Sequence, residues 1–487
     1  MHTTLMYWSG FLLYAVVVIT IGFKQYQLEK KACKTTDNEE YWTAGYNLSG
    51  WAVGFSISAS MMSVSWSGMY GVQLFYWYGP GGMWLLIVPW LLTMALFYFF
   101  APRFRTLKIF SQPELMHRHF GTSSRLVMAF TLLFVFIAWG GAEIYAAGKI
   151  IAPFLDISPP TAFFLIACVV ALYSYSGGFA AVVATDKIQF FLVAFFMSAV
   201  AWLAFDHTQW DIATLESLAP PRQEAGQSVW LAPGLLLIVM TLVAYLPGWL
   251  VETDLWVRIQ SAKTNREARR GIVIAALNSF VFVGIIPAVI GISALQLFPA
   301  ENGIIPPYLQ DGALIFTEVL ARYAPVWLNL ILSVGLVAAA MSTVDTCGNI
   351  VALSLSRDVL EPYFEKKHWD RQRLNRLARW SSVGAVGLAL LYALFTESLW
   401  DIFYLSSGLL TTVVFIPVIS VFIKRPSKWE VNAAMLVGLT ATFLFYFLEK
   451  SGWSFGWPAL KATGLGYIFW AFCASVISGI IVRYFRE

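Results

Sequence analysis

Apolar windows of about 20 residues, the length a helix needs to cross a bilayer, follow one another along almost the whole chain. They fall at roughly 5–23, 48–71, 81–101, 126–152, 160–177, 182–205, 229–250, 271–298, 327–355, 378–396, 399–423, 430–448 and 463–483. This succession predicts about thirteen transmembrane helices. The alternating segments of about ten residues that mark a membrane barrel are absent. Composition bears on the same point: of the 487 residues, 59% are hydrophobic and 12% charged, whereas a soluble domain carries about 25% charged residues. So little charge cannot cover a soluble particle of this size. The chain is read as an all-α membrane protein whose surroundings are a lipid bilayer.

Several function classes drop out on the same grounds. The net charge of +4 does not mark a nucleic-acid partner, because the basic residues sit in short loops between the windows. Their distribution sets orientation instead. Arg103, Arg105, Lys108, Arg118 and Arg125 share one loop, and Arg357, Lys366, Lys367, Arg371, Arg373, Arg376 and Arg379 another. The 206–228 loop carries Asp206, Asp211, Glu216 and Glu224 with Arg222. Alternating these sides predicts an outside N-terminus and a cytoplasmic C-terminus in the plasma or inner membrane. The 103–125 segment reads as an interfacial helix, with a break allowed at "SQPEL" (111–115). Cys33, Cys168, Cys347 and Cys473 show neither disulfide nor zinc spacing. No loop is long enough for an appended catalytic domain, and no nucleophile–base pairing marks the spans. Neither an enzyme nor an obligate protein partner is expected.

"VAAAMSTVDTCGN" (337–349) puts Ser342, Thr343, Asp345, Thr346 and Asn349 inside an apolar window. Positions three and four apart share a helix face, so Ala339, Ser342, Thr343 and Thr346 form a stripe that Asp345 and Asn349 extend. The hydroxyls alone read as helix–helix glue worth about 1 kcal/mol each. A charged Asp345 near the bilayer centre costs at least about 2.5–3.5 kcal/mol, which a bound cation relieves. A second acid, Asp186, follows the Gly177–Gly178 break; taken alone, it reads equally as an acid at a helix start.

"GWAVGFSISASMMSVSWSGMYG" (50–71) is dense in serine and glycine. Gly50 and Gly54 fit a close-packing face. The serines fit a helix interrupted at membrane depth, which is tolerated only where it lines a cavity. There, freed carbonyls coordinate a hard cation and half-helix N-termini attract anionic groups. Oxygen ligands without His or Cys imply a hard ion, and with so few carboxylates Na+ fits better than calcium. Glu143, mid-window among small residues, suits a cationic or amino-bearing substrate. It also suits a pair with Lys149 or a polar neighbour on another helix.

"YWTAGYNLSGW" (41–51), "GGFAAVVATDKIQ" (177–189), "RIQSAKTNREARRG" (258–271) and "AAAMSTVDT" (338–346) together resemble the solute:sodium symporter family, over nearly the whole chain. The third of these is similar to a cytoplasmic loop of that family. The resemblance implies a leucine-transporter-type fold of two inverted five-helix repeats, 48–205 and 229–423, with broken first and sixth core helices. An extracellular loop, 206–228, would join them. An extra helix and a cytoplasmic loop would occupy 1–47, and two additional helices 424–487. A first Na+ would be held by the carbonyls of Ala59, Met62 and Ala339 and the hydroxyls of Ser342 and Thr343. A further Na+, present in some members, would use Asp186, Ser342, Asp345 and Thr346. The solute pocket would draw on Ser63, Ser65, Trp66, Gln73, Glu143, Tyr245, Trp249 and Tyr404. Met61 stands where the family's proline carriers have an acid, so proline is not implied. The expected function is Na+-coupled import of a small polar organic solute, of amino acid, carboxylate, sugar or vitamin type, by alternating access. Proton coupling through Asp186 and Asp345, and a transporter-like membrane sensor, are the competing expectations.

Overall fold

The computed structural model describes residues 2–32, 46–107, 109, 111–175, 179–360, 371–423 and 426–485. Among them the regular structure is helical, with two isolated backbone bridges, Leu48 to Ala262 and Glu301 to Ile304. Eight helices in the described residues are long and apolar enough to cross a membrane, Thr122–Leu155 and Lys428–Lys450 among them. Shorter apolar helices lie at Thr4–Val17, Pro159–Leu172 and Arg379–Leu394. The 327–355 window is one helix, Val326–Leu353. The 48–71 window is instead split into Gly50–Met61 and Val64–Gly71, the latter continued by Val72–Tyr78. The Gly177–Gly178 break, most of the 24–45 loop, the 361–370 part of the basic loop and the side chain of Ser342 lie outside the described residues.

Helix Val326–Leu353 packs against Thr122–Leu155, Phe179–Asp206 and Arg371–Leu394. Gly50–Met61 packs against Phe179–Asp206 and Asn265–Ser279. The contact with Asn265–Ser279 is close because glycine permits it. A Cβ on Gly54 would stand 2.7 Å from the Ile274 side chain and 3.0 Å from the Gly271 carbonyl. The close-packing reading of Gly50 and Gly54 therefore holds beside the broken-helix reading, each for different residues of one segment.

Two backbone bonds zip the start of this helix to a distant strand of chain. Leu48 N–H donates to the Ser261 carbonyl at 2.9 Å, and Lys263 N–H to the Leu48 carbonyl at 2.9 Å. In the 103–125 segment, Ser111 caps helix Gln112–Phe120 by accepting from Glu114 N–H at 3.2 Å, with Pro113 in the first turn. The break allowed at "SQPEL" is that helix's N-terminus.

Candidate functional site

Helix Gly50–Met61 stops because Ser63 turns extended (φ −85°, ψ 156°) and its hydroxyl accepts from Trp66 N–H at 2.8 Å. A serine side chain bonding the backbone in this way competes with the helical ladder. The restarted helix leaves orphan N–H groups. Those of Val64 and Ser65 are taken by the two carboxylate oxygens of Glu143, at 2.7 and 3.0 Å. A negative group at the positive end of a helix is the favourable arrangement. Glu143 is 0% exposed, so both its oxygens are committed to the backbone of another helix. Lys149 is not its partner: it donates to Gln310 at 2.9 Å and lies over the Tyr145 ring.

Another interruption separates helix Leu235–Trp249 from Thr253–Gln260. Pro247 weakens the ladder before it, and Glu252 is extended (φ −68°, ψ 124°). The Val251 carbonyl accepts from Gln112 Nε2 at 2.9 Å, and Gln112 Oε1 accepts from the Thr253 hydroxyl at 2.6 Å. The Ser111-capped helix thus pins the break.

The 258–271 stretch, expected as a cytoplasmic loop, begins inside the buried helix Thr253–Gln260. Arg258 is 0% exposed. It pairs with Asp254 one turn earlier and with Asp186 at 3.5 Å. Its Nε donates to Ser56 Oγ at 2.9 Å and its Nη2 to Thr346 Oγ1 at 3.1 Å. Ser56 in turn donates to Asp186 at 2.6 Å. Asp186 and Thr346, expected to share a second sodium, therefore meet around a guanidinium whose positive charge already stands between them. Asp345 is buried on the same helix as Thr346. The i,i+4 spacing of Asp254 and Arg258 was the signal in the sequence for this pairing.

At the first break, Thr343 Oγ1 donates to the Ser60 carbonyl at 3.4 Å. Ala59, Met62 and Ala339 are all buried. Between the two breaks lies a small cavity of about 60 Å³. Ser63, Ser65, Trp66, Trp249, Thr343 and Thr346 line it. So do Ser60, Glu252 and Asp254, and an aromatic set of Trp90, Trp139, Phe136 and Phe403, none of which the sequence singled out. Glu143, Gln73, Tyr245 and Tyr404 stand outside this lining. Gln73 Nε2 donates to the Asp311 carbonyl at 2.7 Å. Tyr245 stacks on Trp249 at 4.3 Å and on Tyr404 at 4.7 Å, one layer behind the wall.

Further along from the first break, the Asp311 carbonyl also accepts from Trp77 Nε1 at 2.9 Å. Arg222 forms an ion pair with the Asp311 carboxylate and lies 3.5 Å from the centre of the Trp77 ring. The 206–228 and 299–326 loops are joined there.

Two interrupted helices facing a cavity in a helical membrane protein define the broken-helix class of membrane carriers. The model of the sodium:solute symporter family matches residues 41–440, and the chain belongs to that family. The osmoregulated proline transporter OpuE of Bacillus subtilis is 24% identical, over 96% of this chain and 93% of its own. The sodium/sialic acid symporter NanT of Aliivibrio fischeri is 23% identical, over 84% of this chain and 82% of its own. The substrate-bound, outward-open structure of a Na+-coupled sialic acid symporter matches with a TM-score of 0.70 at 17% identity, covering 98% of both chains. That likeness is one of fold.

Proposed function

We propose that the protein imports a small polar organic solute together with Na+ by alternating access. The observation that carries this reading is the Thr343 hydroxyl directed at the Ser60 carbonyl, where helix Gly50–Met61 ends beside the cavity. The carbonyls of Ala59, Met62 and Ala339 and the hydroxyls of Ser342 and Thr343 would hold the ion. Ser63, Ser65, Trp66 and Trp249 would contact the solute, with Gln73, Glu143, Tyr245 and Tyr404 shaping the walls behind. About thirteen spans in two inverted repeats, 48–205 and 229–423, with the N-terminus outside and the C-terminus in the cytoplasm, complete the reading. Family membership and the relatives named for proline and sialic acid support it.

Coupling asks only that Na+ favour the conformation competent for solute. The membrane potential supplies about 2.3 kcal/mol per charge per 100 mV, enough for tens-fold accumulation. A second Na+ at Asp186, Asp345 and Thr346 would have to share its ligands with Arg258. Proton coupling through Asp186 would have to displace the same arginine.

Uptake into proteoliposomes under inward Na+, K+ or H+ gradients tests the reading. Accumulation should follow the Na+ gradient, and Thr343→Ala should raise the Na+ concentration for half-maximal uptake roughly tenfold, equivalent to about 1.4 kcal/mol. Accumulation that follows H+ and ignores Na+ would overturn it.

A further inference from the structure

The cavity between the two breaks is lined by a buried carboxylate that has no counter-ion to itself. Glu252 is 2% exposed and lines the cavity. It occupies the N-cap position of helix Thr253–Gln260, yet its side chain does not cap that helix. Among the described residues no hydrogen bond or ion pair reaches its carboxylate. Arg258 is near enough to attract it, but that guanidinium is committed to Asp254, Asp186, Ser56 and Thr346. A buried carboxylate without partners is unfavourable, and the described residues lining the cavity include no lysine, arginine or histidine.

The remaining walls agree with that charge. Trp66 and Trp249 meet edge to face at 5.6 Å, and Trp249 and Trp90 at 5.5 Å, so three indoles at different angles line one space. Indole faces attract cations, most strongly when desolvated. The indole N–H of Trp90 is buried without an acceptor among the described residues, which leaves a donor for an oxygen on the same ligand. The half-helix N-terminus, where an anionic substrate group would be received, is already filled by Glu143. A substrate carboxylate would find its donors taken and Glu252 opposing it.

Resting on the transport site proposed above, we infer that the solute is a small organic cation, a substituted ammonium bearing a hydroxyl or carbonyl oxygen, with Glu252 as its counter-ion and Trp66, Trp90 and Trp249 as its walls. Import with Na+ would then carry two positive charges inward per cycle, so the membrane potential drives it doubly.

Equilibrium binding at fixed Na+, on the purified full-length protein in detergent, separates this inference from the coupling scheme. The probes are choline, tetramethylammonium and ethanolammonium, compared with glycine betaine, proline and glucose. Choline should bind saturably and at least tenfold tighter than betaine, which keeps the ammonium and adds a carboxylate. Glu252→Gln should weaken choline at least tenfold while leaving the Na+ response of intrinsic fluorescence unchanged, and Glu252→Asp should restore part of the loss. The comparison of choline with betaine needs no variant, so it decides even if Glu252→Gln fails to fold. Binding of none of the three cations would overturn the inference, as would tighter binding of betaine, proline or glucose. So would unchanged choline affinity in Glu252→Gln, or a lost Na+ response there, which would make Glu252 an ion ligand. Solute accumulation without Na+ would instead overturn the coupling scheme and leave the binding result standing.

Discussion

Arg258 is fully buried, and its charge is balanced by two carboxylates and two hydroxyls drawn from four helices. Breaking such a cluster by removing its cation costs about 3–5 kcal/mol, because uncompensated buried charges are left behind. Arg258→Met should therefore lower the thermal stability of the purified protein by an amount in that range. Adding Asp254→Asn should recover part of the loss, and a melting temperature unchanged in Arg258→Met would show that the cluster is not structural. The i,i+4 spacing from Asp254 marks one pairing in the sequence, but not the contacts with Asp186, Ser56 and Thr346 on other helices. The stretch around Arg258 also carries Lys263, Arg266, Arg269 and Arg270 and so reads as a cytoplasmic loop. The role of Glu143 was hidden for a related reason: its partners, Val64 and Ser65, are 79 and 78 positions away and are backbone groups. A sequence shows that an acid is buried among small residues, but not which amide faces it. The place of Thr343 on the cavity wall was legible because the polar stripe and the helix that carries it are local features.

The two interrupted helices differ in how openly the sequence declares them. Serine density announces the break after Met61, since hydroxyls at Ser63 and Ser67 bond their own backbone. The break after Trp249 reads in the sequence as the end of an apolar window, because Pro247 and Gly248 also suit a helix terminus. Only tertiary contact with Gln112 makes it an interruption. Packing of helix Gly50–Met61 on Asn265–Ser279 is a property of the pair, and Gly54 sets its distance. Gly54→Leu forces a side chain into Ile274 and the Gly271 carbonyl, and overpacking of this kind typically costs about 1–3 kcal/mol. The expected readout is a lower melting temperature and reduced yield of monodisperse protein. Gly387→Ala is the control, since a Cβ there meets nothing within 4 Å. Equal losses in both variants would mean that glycine content, rather than this contact, sets stability.

Alternating access requires each end of the molecule to open in turn, and each end here is held by polar contacts. One is the Arg222–Asp311 pair over Trp77. The other joins Asp358, just past helix Val326–Leu353, to the Ser111 hydroxyl at 2.9 Å and Arg125 at 3.6 Å. Burial pushes the Asp358 carboxyl up to about 7, although Arg125 and Ser111 pull it down; Glu114 adds to the rise. Once exposed by opening, the same carboxyl would return to about 3.9. The closed contact therefore binds the proton more tightly than the open one. Its stabilisation is fully present below about pH 4 and is lost as pH rises through about 7. Hydrogen exchange in helix Gln112–Phe120, corrected for the intrinsic pH dependence of exchange, should speed up across that window and level off above it. Asp358→Asn should flatten the profile, and an unchanged slope in that variant would assign the dependence to another group. The same helix carries Gln112, which holds the Val251 carbonyl and the Thr253 hydroxyl. Release at Asp358 would thus loosen the support of the break after Trp249, the backbone that carries Glu252 to the cavity.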